Sequence, residues 1–287
     1  MFTQEFMRNA LLAGTFVALA CGVSGWFVVL RGQVFAGDAL SHVAFPGALA
    51  AAAAGVDQRI GLFTATIAAG AAIGLLGRGL LGGRAGGGGA SGGAVAAAQQ
   101  DTAVGTAFTF ILGLGVFFLT LAGKSAAGGS GIVGAHTLFG SIFGLSAGEA
   151  RLAGAIGLAV ALLVGAIARP LLFSSLAPDV AAARGVPVRL LGVAFAALLG
   201  VVAAEATQAV GALLLLGLLA APAAAAHRLA RSPFAGIALA GLLAVAAMWG
   251  GLALAYAIPS LPPSTAVIAL AVATYGGAAL LGGRAHR

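Results

Sequence analysis

The sequence predicts an all-α fold, a polytopic bundle of membrane-crossing helices. Of its 287 residues, 61% are hydrophobic and only 7% are charged, against about a quarter charged in soluble domains. Mean hydropathy is +1.11. Charge-free stretches of about 17 to 25 residues recur along the chain, each able to cross a hydrocarbon core of about 30 Å as a helix. The strands of a membrane β-barrel would be about ten residues long and alternate polar with apolar, a pattern this sequence lacks. No soluble domain fits between the apolar runs, so residues 1–287 read as one transmembrane domain.

Backbone in lipid must bond within its own helix, so charges and Gly/Pro breaks mark the ends of spans. About nine segments follow: 9–30, 38–54, 60–81, 102–122, 151–173, 188–204, 208–227, 235–258 and 263–282. The second and sixth are short enough to be tilted, partial or re-entrant, which leaves eight spans as the alternative. The first is too long for a cleavable signal and reads as a span. Within it lies Cys21, the lone cysteine, which has no intrachain disulfide partner. Gly70 and Gly74 permit close helix contact, although such pairs arise often in so Ala/Gly-rich a chain. Residues Gly82 to Gly93 form a low-complexity linker. No phosphate-binding loop is present, because the one Gly123-Lys124-Ser125 triplet has Phe118 where an earlier glycine is needed. With no nucleotide motif and no His-Glu-x-x-His helix, the chain is not expected to be an enzyme.

The excess of 14 basic over 7 acidic residues gives a net charge of +7. No nucleic-acid partner follows, because basic residues collect in cytoplasmic loops and set orientation. With nine crossings and the C-terminus inside, Arg31, Arg78, Arg84, Arg169, Arg184, Arg189, Arg228, Arg231, Arg284 and Arg287 face the cytoplasm. Arg8, Arg59, Lys124 and Arg151 fall outside.

Ionisable residues within apolar segments usually face a cavity or an ion pathway. Asp38 and His42 are the leading pair, because helical spacing of four places carboxylate and imidazole on one face. Oxygen plus nitrogen suits zinc and is compatible with manganese or ferrous iron. The alternative makes Asp38 a helix N-cap near the headgroups, with His42 bonded to it. His136, in the long outward connection, is a candidate entry ligand or a surface histidine. Glu205 reads as a solvated residue of the outer turn between segments six and seven, with a place in the pathway as the alternative. His227 reads as part of a basic cytoplasmic cluster and His286 as part of the tail, neither as a ligand. Between Pro170 and Arg189, Asp179 near a helix start and Gly185 with Pro187 at its stop predict a short cytosolic helix. Such a helix is marginal alone and must dock, either on an ATPase or on its own bundle.

These residues carry a resemblance that covers almost the whole chain. Val28-Val29-Leu30-Arg31, Gly37 through His42, Pro46-Gly47, Leu138 through Ile142, Asp179 to Pro187, Val210 through Leu214 and Pro222 through Ala226 occur in matching order and spacing. The chain resembles the permease subunit of the zinc/manganese/iron ABC importers, the ABC-3 family. That resemblance implies a homodimer with a vitamin-B12-type importer fold, two cytosolic ABC ATPase subunits and an extracytoplasmic metal-binding protein. It implies a multi-pass protein of the bacterial plasma membrane. Asp38 and His42 match the family's pathway pair, and the 176–187 region, with Asp179, Ala182, Arg184 and Gly185, becomes the coupling helix. No permanently bound cofactor is implied; the divalent metal, zinc or manganese, is cargo. A secondary carrier working without an ATPase is the alternative, but it would more often show paired internal repeats, and none is evident.

Overall fold

The computed structural model describes residues 4–76, 109–121, 140, 142–209, 211–212, 215–258 and 260–282. All regular structure among them is helical. The α-helices are α1 (Glu5–Leu30), α2 (Val34–Ala53), α3 (Gln58–Leu76), α4 (Thr109–Leu121), α5 (Ala147–Ala166), α6 (Ala168–Leu176), α7 (Pro178–Ala183), α8 (Val188–Ala209), α9 (Leu215–Leu229), α10 (Pro233–Ala257) and α11 (Pro263–Gly282). Seven are long and apolar enough to cross a membrane, and α4 and α9 are shorter apolar helices. The protein is therefore a multi-pass helical bundle, and each of the nine expected segments overlaps a helix among the described residues, the fifth overlapping both α5 and α6.

Several boundaries differ from expectation. The second and sixth segments are full-length helices of 20 and 22 residues rather than partial ones. The fifth starts four residues early, because Ser146 and Glu149 form a reciprocal capping box that fixes its first turn. It then breaks at Ile167, so that Arg169 and Pro170 belong to a separate helix, α6. The Gly82 to Gly93 linker lies outside the described residues.

The core forms around α1, the most buried span, which packs on α5, α9 and α10. Small residues let these backbones meet. A side chain at Gly25 would run into the Leu219 carbonyl, and one at Gly22 into the Ala240 carbonyl. Gly70 and Gly74 of α3 also mark a real contact, resting on Ala196 and Val193 of α8.

Cross-helix contacts sort the charges to two ends. Arg31, Arg169, Arg184, Arg189, Arg228 and Arg231 lie at one, together with α7; Arg8, Arg59 and Arg151 lie at the other. These nine follow the segregation expected from the loop arginines, while Arg78, Arg84, Lys124, Arg284 and Arg287 lie outside the described residues; by the positive-inside rule the α7 end is the one expected to be cytosolic.

Candidate functional site

α2 starts near the cytosolic end behind Gln33, the residue at its N-cap. Asp38 therefore sits in the second turn and is no cap, which removes the capping alternative. At 1.5 Å per residue, Asp38 and His42 lie about 6 and 12 Å beyond Val34 along the helix. His42 is buried and Asp38 partly exposed, with side-chain accessibilities of 11% and 25%. His42 Nε2 and Asp38 Oδ1 are 3.8 Å apart. Two donors on one tetrahedral ion with bonds of about 2.1 Å stand roughly 3.4 Å apart, so this separation is within about half an ångström of what one shared ion would need. Ser41, fully buried beside them, donates to the Asp38 backbone carbonyl at 2.7 Å. Four residues past His42, Pro46 has no N–H to offer the His42 carbonyl. α4 crosses this region, with Gly115 set against Phe45 and Pro46.

A second polar centre lies toward the outer end. Glu205 is a correction to the sequence reading: α8 continues to Ala209, so this residue is inside a span and only 3% exposed rather than in a solvated turn. Two causes act together. Ala203, Ala204 and Ala206 favour continued helix, and Arg59 neutralises the carboxylate, with its Nη2 donating to Oε1 at 2.8 Å. Arg59 is placed in turn by Asp57, which accepts from its backbone N–H at 2.7 Å. Its guanidinium also lies 5.8 Å from the Phe63 ring centroid. Glu205 Oε2, Thr207 Oγ1 and Gln208 Nε2 are buried without a hydrogen-bond partner among the described residues. Beside them opens a cavity of about 740 Å³ bordered by Asp57, Arg59, Glu149, Thr207 and Gln208. Ala44 and Ala48 of α2 pack on Ala204 of α8 and Leu62 of α3. The two polar centres thus share a wall, and Ala48 stands about 9 Å along α2 from His42.

No group of three or more His, Cys, Asp or Glu gathers at one point among the described residues. His136 lies outside them. His227 is a packing residue that sequence reasoning missed: its ring stacks on Trp26 at 4.7 Å and its Nε2 lies 3.0 Å from the Trp26 carbonyl.

The segment after Leu176 forms the short helix α7, with Pro178 and Asp179 in its first turn and Gly185 at φ +80° after its end. Ala181 is buried against the bundle, while Asp179, Val180, Ala182, Arg184 and Gly185 are exposed. The helix thus rests on its own chain and leaves a second face open.

A family model described as the ABC 3 transport family matches residues 3–80 and 93–281. The chain belongs to the ABC 3 transport family. The match skips residues 81–92, where the glycine-rich linker lies. Among curated relatives, the manganese transport system membrane protein MntC of Halalkalibacterium halodurans is 30% identical over 250 residues, covering 87% of this chain and 76% of that protein. The manganese import system permease protein ScaB of Streptococcus parasanguinis is 29% identical over 268 residues, covering 93% and 88%. The solved structure of PsaBC from Streptococcus pneumoniae in complex with Fab superposes with a TM-score of 0.78 at 26% identity, covering 96% of this chain and 91% of that one.

Proposed function

We propose that this ABC 3 chain is the permease subunit of an ATP-driven importer of a divalent transition metal ion, manganese or zinc. The observation that carries the reading is the Asp38/His42 pair, an oxygen and a nitrogen donor 3.8 Å apart within a span of a chain whose relatives are named for manganese transport. The chain works as a homodimer in a bacterial plasma membrane, with cytosolic ABC ATPases and an extracytoplasmic metal-binding protein. The loaded binding protein docks at the Arg59 end, and the metal passes inward to Asp38 and His42. Glu205 and His136 stand as further candidate ligands on the route. At the opposite end, the open face of α7 fits an ATPase surface, with Asp179, Ala182, Arg184 and Gly185 at the contact. ATP-driven closure moves α7 and, through it, α8, along which the outer ion pair at Glu205 stands about 26 Å from Val188.

The test is metal uptake, measured by elemental analysis across the first-row metals in cells that depend on this chain. Asp38→Ala and His42→Ala abolish accumulation while membrane insertion stays normal. Wild-type accumulation by both variants refutes the pathway assignment. Full transport by the purified chain in liposomes, driven by an ion gradient alone, refutes the importer reading and favours a secondary carrier.

A further inference from the structure

At the cytosolic end, between α2, α3, α6 and α8, lies an open cavity of about 660 Å³ that the transport reading leaves unassigned. Its polar rim is Arg31, Gln33, Ser174, Ser175 and Arg189. Arg31 Nε donates to Ser175 Oγ at 2.8 Å and Nη2 to Ser174 Oγ at 3.4 Å. Both hydroxyls give their own protons to the Leu171 carbonyl, so they are fixed as acceptors toward the guanidinium. Its carbon centre lies 5.1 Å from the Phe195 ring centroid. Burial lowers its pKa only to about 10, so it stays charged at neutral pH. Among the described residues no carboxylate pairs with Arg31, and no acidic side chain lines the cavity. The C-terminal ends of α1 and α6 supply partial negative charge but no full countercharge.

A partly buried cation without an anionic partner is costly, and a second arginine on the same wall adds to the potential. Behind this rim the wall turns aliphatic, with Leu40, Ile73 and Leu199. Leu199 is ten residues along α8 from Arg189, about 15 Å deeper. Arg31 directly follows a span and Arg189 begins one, so the charges sit at the depth of lipid headgroups and the aliphatic wall at the depth of acyl chains. A cavity cationic at its rim and aliphatic below is complementary to an amphiphile with an anionic head.

We propose that this cavity binds an anionic phospholipid, its phosphate held by Arg31 and Arg189 and its upper acyl chain against Leu40, Ile73 and Leu199. Basic pockets between transmembrane helices on the cytoplasmic side are a general way of holding such headgroups. The same phosphate chemistry would serve a free phosphate, but only a lipid uses the aliphatic wall.

The test uses the full-length chain purified in mild detergent, with lipid retention read by native mass spectrometry and stability by thermal unfolding. Phosphatidylglycerol is retained in preference to phosphatidylcholine and raises the unfolding temperature. Arg31→Gln and Arg189→Gln each weaken phosphatidylglycerol binding by about tenfold, the value of one lost charge-assisted hydrogen bond. Arg31→Lys, which keeps the charge, retains most of it. Arg189 is exposed, so its variant reports even where Arg31→Gln fails to fold. Equal retention of the two lipids, or an unchanged preference in the folded Gln variants, overturns the proposal. Inorganic phosphate that stabilises the chain as well as the lipid does would give the site to free phosphate and overturn the lipid assignment.

Discussion

The Arg59–Glu205 pair predicts an asymmetry that stability measurements can check. Glu205 is 3% exposed at its side chain, whereas Arg59 is 21% exposed and borders the outer cavity. Arg59→Leu strands a buried carboxylate whose second oxygen has no partner among the described residues, at a cost of about 3–5 kcal/mol. Glu205→Leu strands a guanidinium that can swing into the cavity and keep its contact with Phe63, so the loss falls to about 2 kcal/mol, near the low end for a severed ion pair. At about 2–4 °C per kcal/mol for a chain of this size, the first variant loses about 10 °C and the second about 5 °C. Replacing both partners with leucine removes both charges, and the double variant unfolds above Arg59→Leu alone, with a coupling energy of about 3 kcal/mol in the cycle. Thermal unfolding of the four purified proteins in one detergent gives the cycle. Additive losses, or a larger loss in Glu205→Leu than in Arg59→Leu, would refute the view of this contact as a buried, mutually neutralising pair.

In whole cells, Ala183→Cys reacts with an impermeant thiol reagent only after the cytoplasmic face is opened, whereas Gly148→Cys reacts from outside; the reverse pattern overturns the orientation. Cys21 is fully buried and leaves this background silent. Replacing Ala182 with Trp on the open face of α7 lowers co-purification of the ATPase, or uncouples its hydrolysis from transport, without shifting the permease's unfolding temperature; intact coupling would mean that α7 has no partner there. Gly25→Leu drives a side chain into the Leu219 carbonyl and destabilises by more than the 1–3 kcal/mol typical of overpacking, seen as aggregation on gel filtration. A monodisperse, equally stable variant would contradict the close α1–α9 contact.

The fold was legible because lipid imposes one rule, internal satisfaction of the backbone, and apolar length then reads out as helices. Even α7 was legible, since Asp179, Gly185 and Pro187 punctuate the chain locally. Boundaries failed where a decision depended on what lay across the bundle. Glu205, Thr207 and Gln208 look like a turn after residue 204, although the run Ala203-Ala204-Glu205-Ala206 carries the opposite signal. Gly37 and Asp38 mark a break and a charge where a span would start, yet Val34 through Gly37 already belong to the helix.

The site divides along the same line. Asp38 and His42 are four residues apart on one helix, so their proximity follows from helical pitch and needs no tertiary knowledge. Arg59 and Glu205 are 146 positions apart, and Arg31 meets Ser175 across 144; nothing in the local sequence at either end announces the other. The consequence is directional. Periodicity finds polar pairs that share a helix, but a charge that reads as a solvated loop residue can be a buried one whose partner comes from elsewhere. In a chain with only seven acidic residues, a carboxylate flanked by alanines is compatible with continued helix when an arginine lies at the same end of the bundle. For Glu205 that arginine is Arg59, because the loop preceding α3 and the end of α8 lie on the same side once the spans alternate.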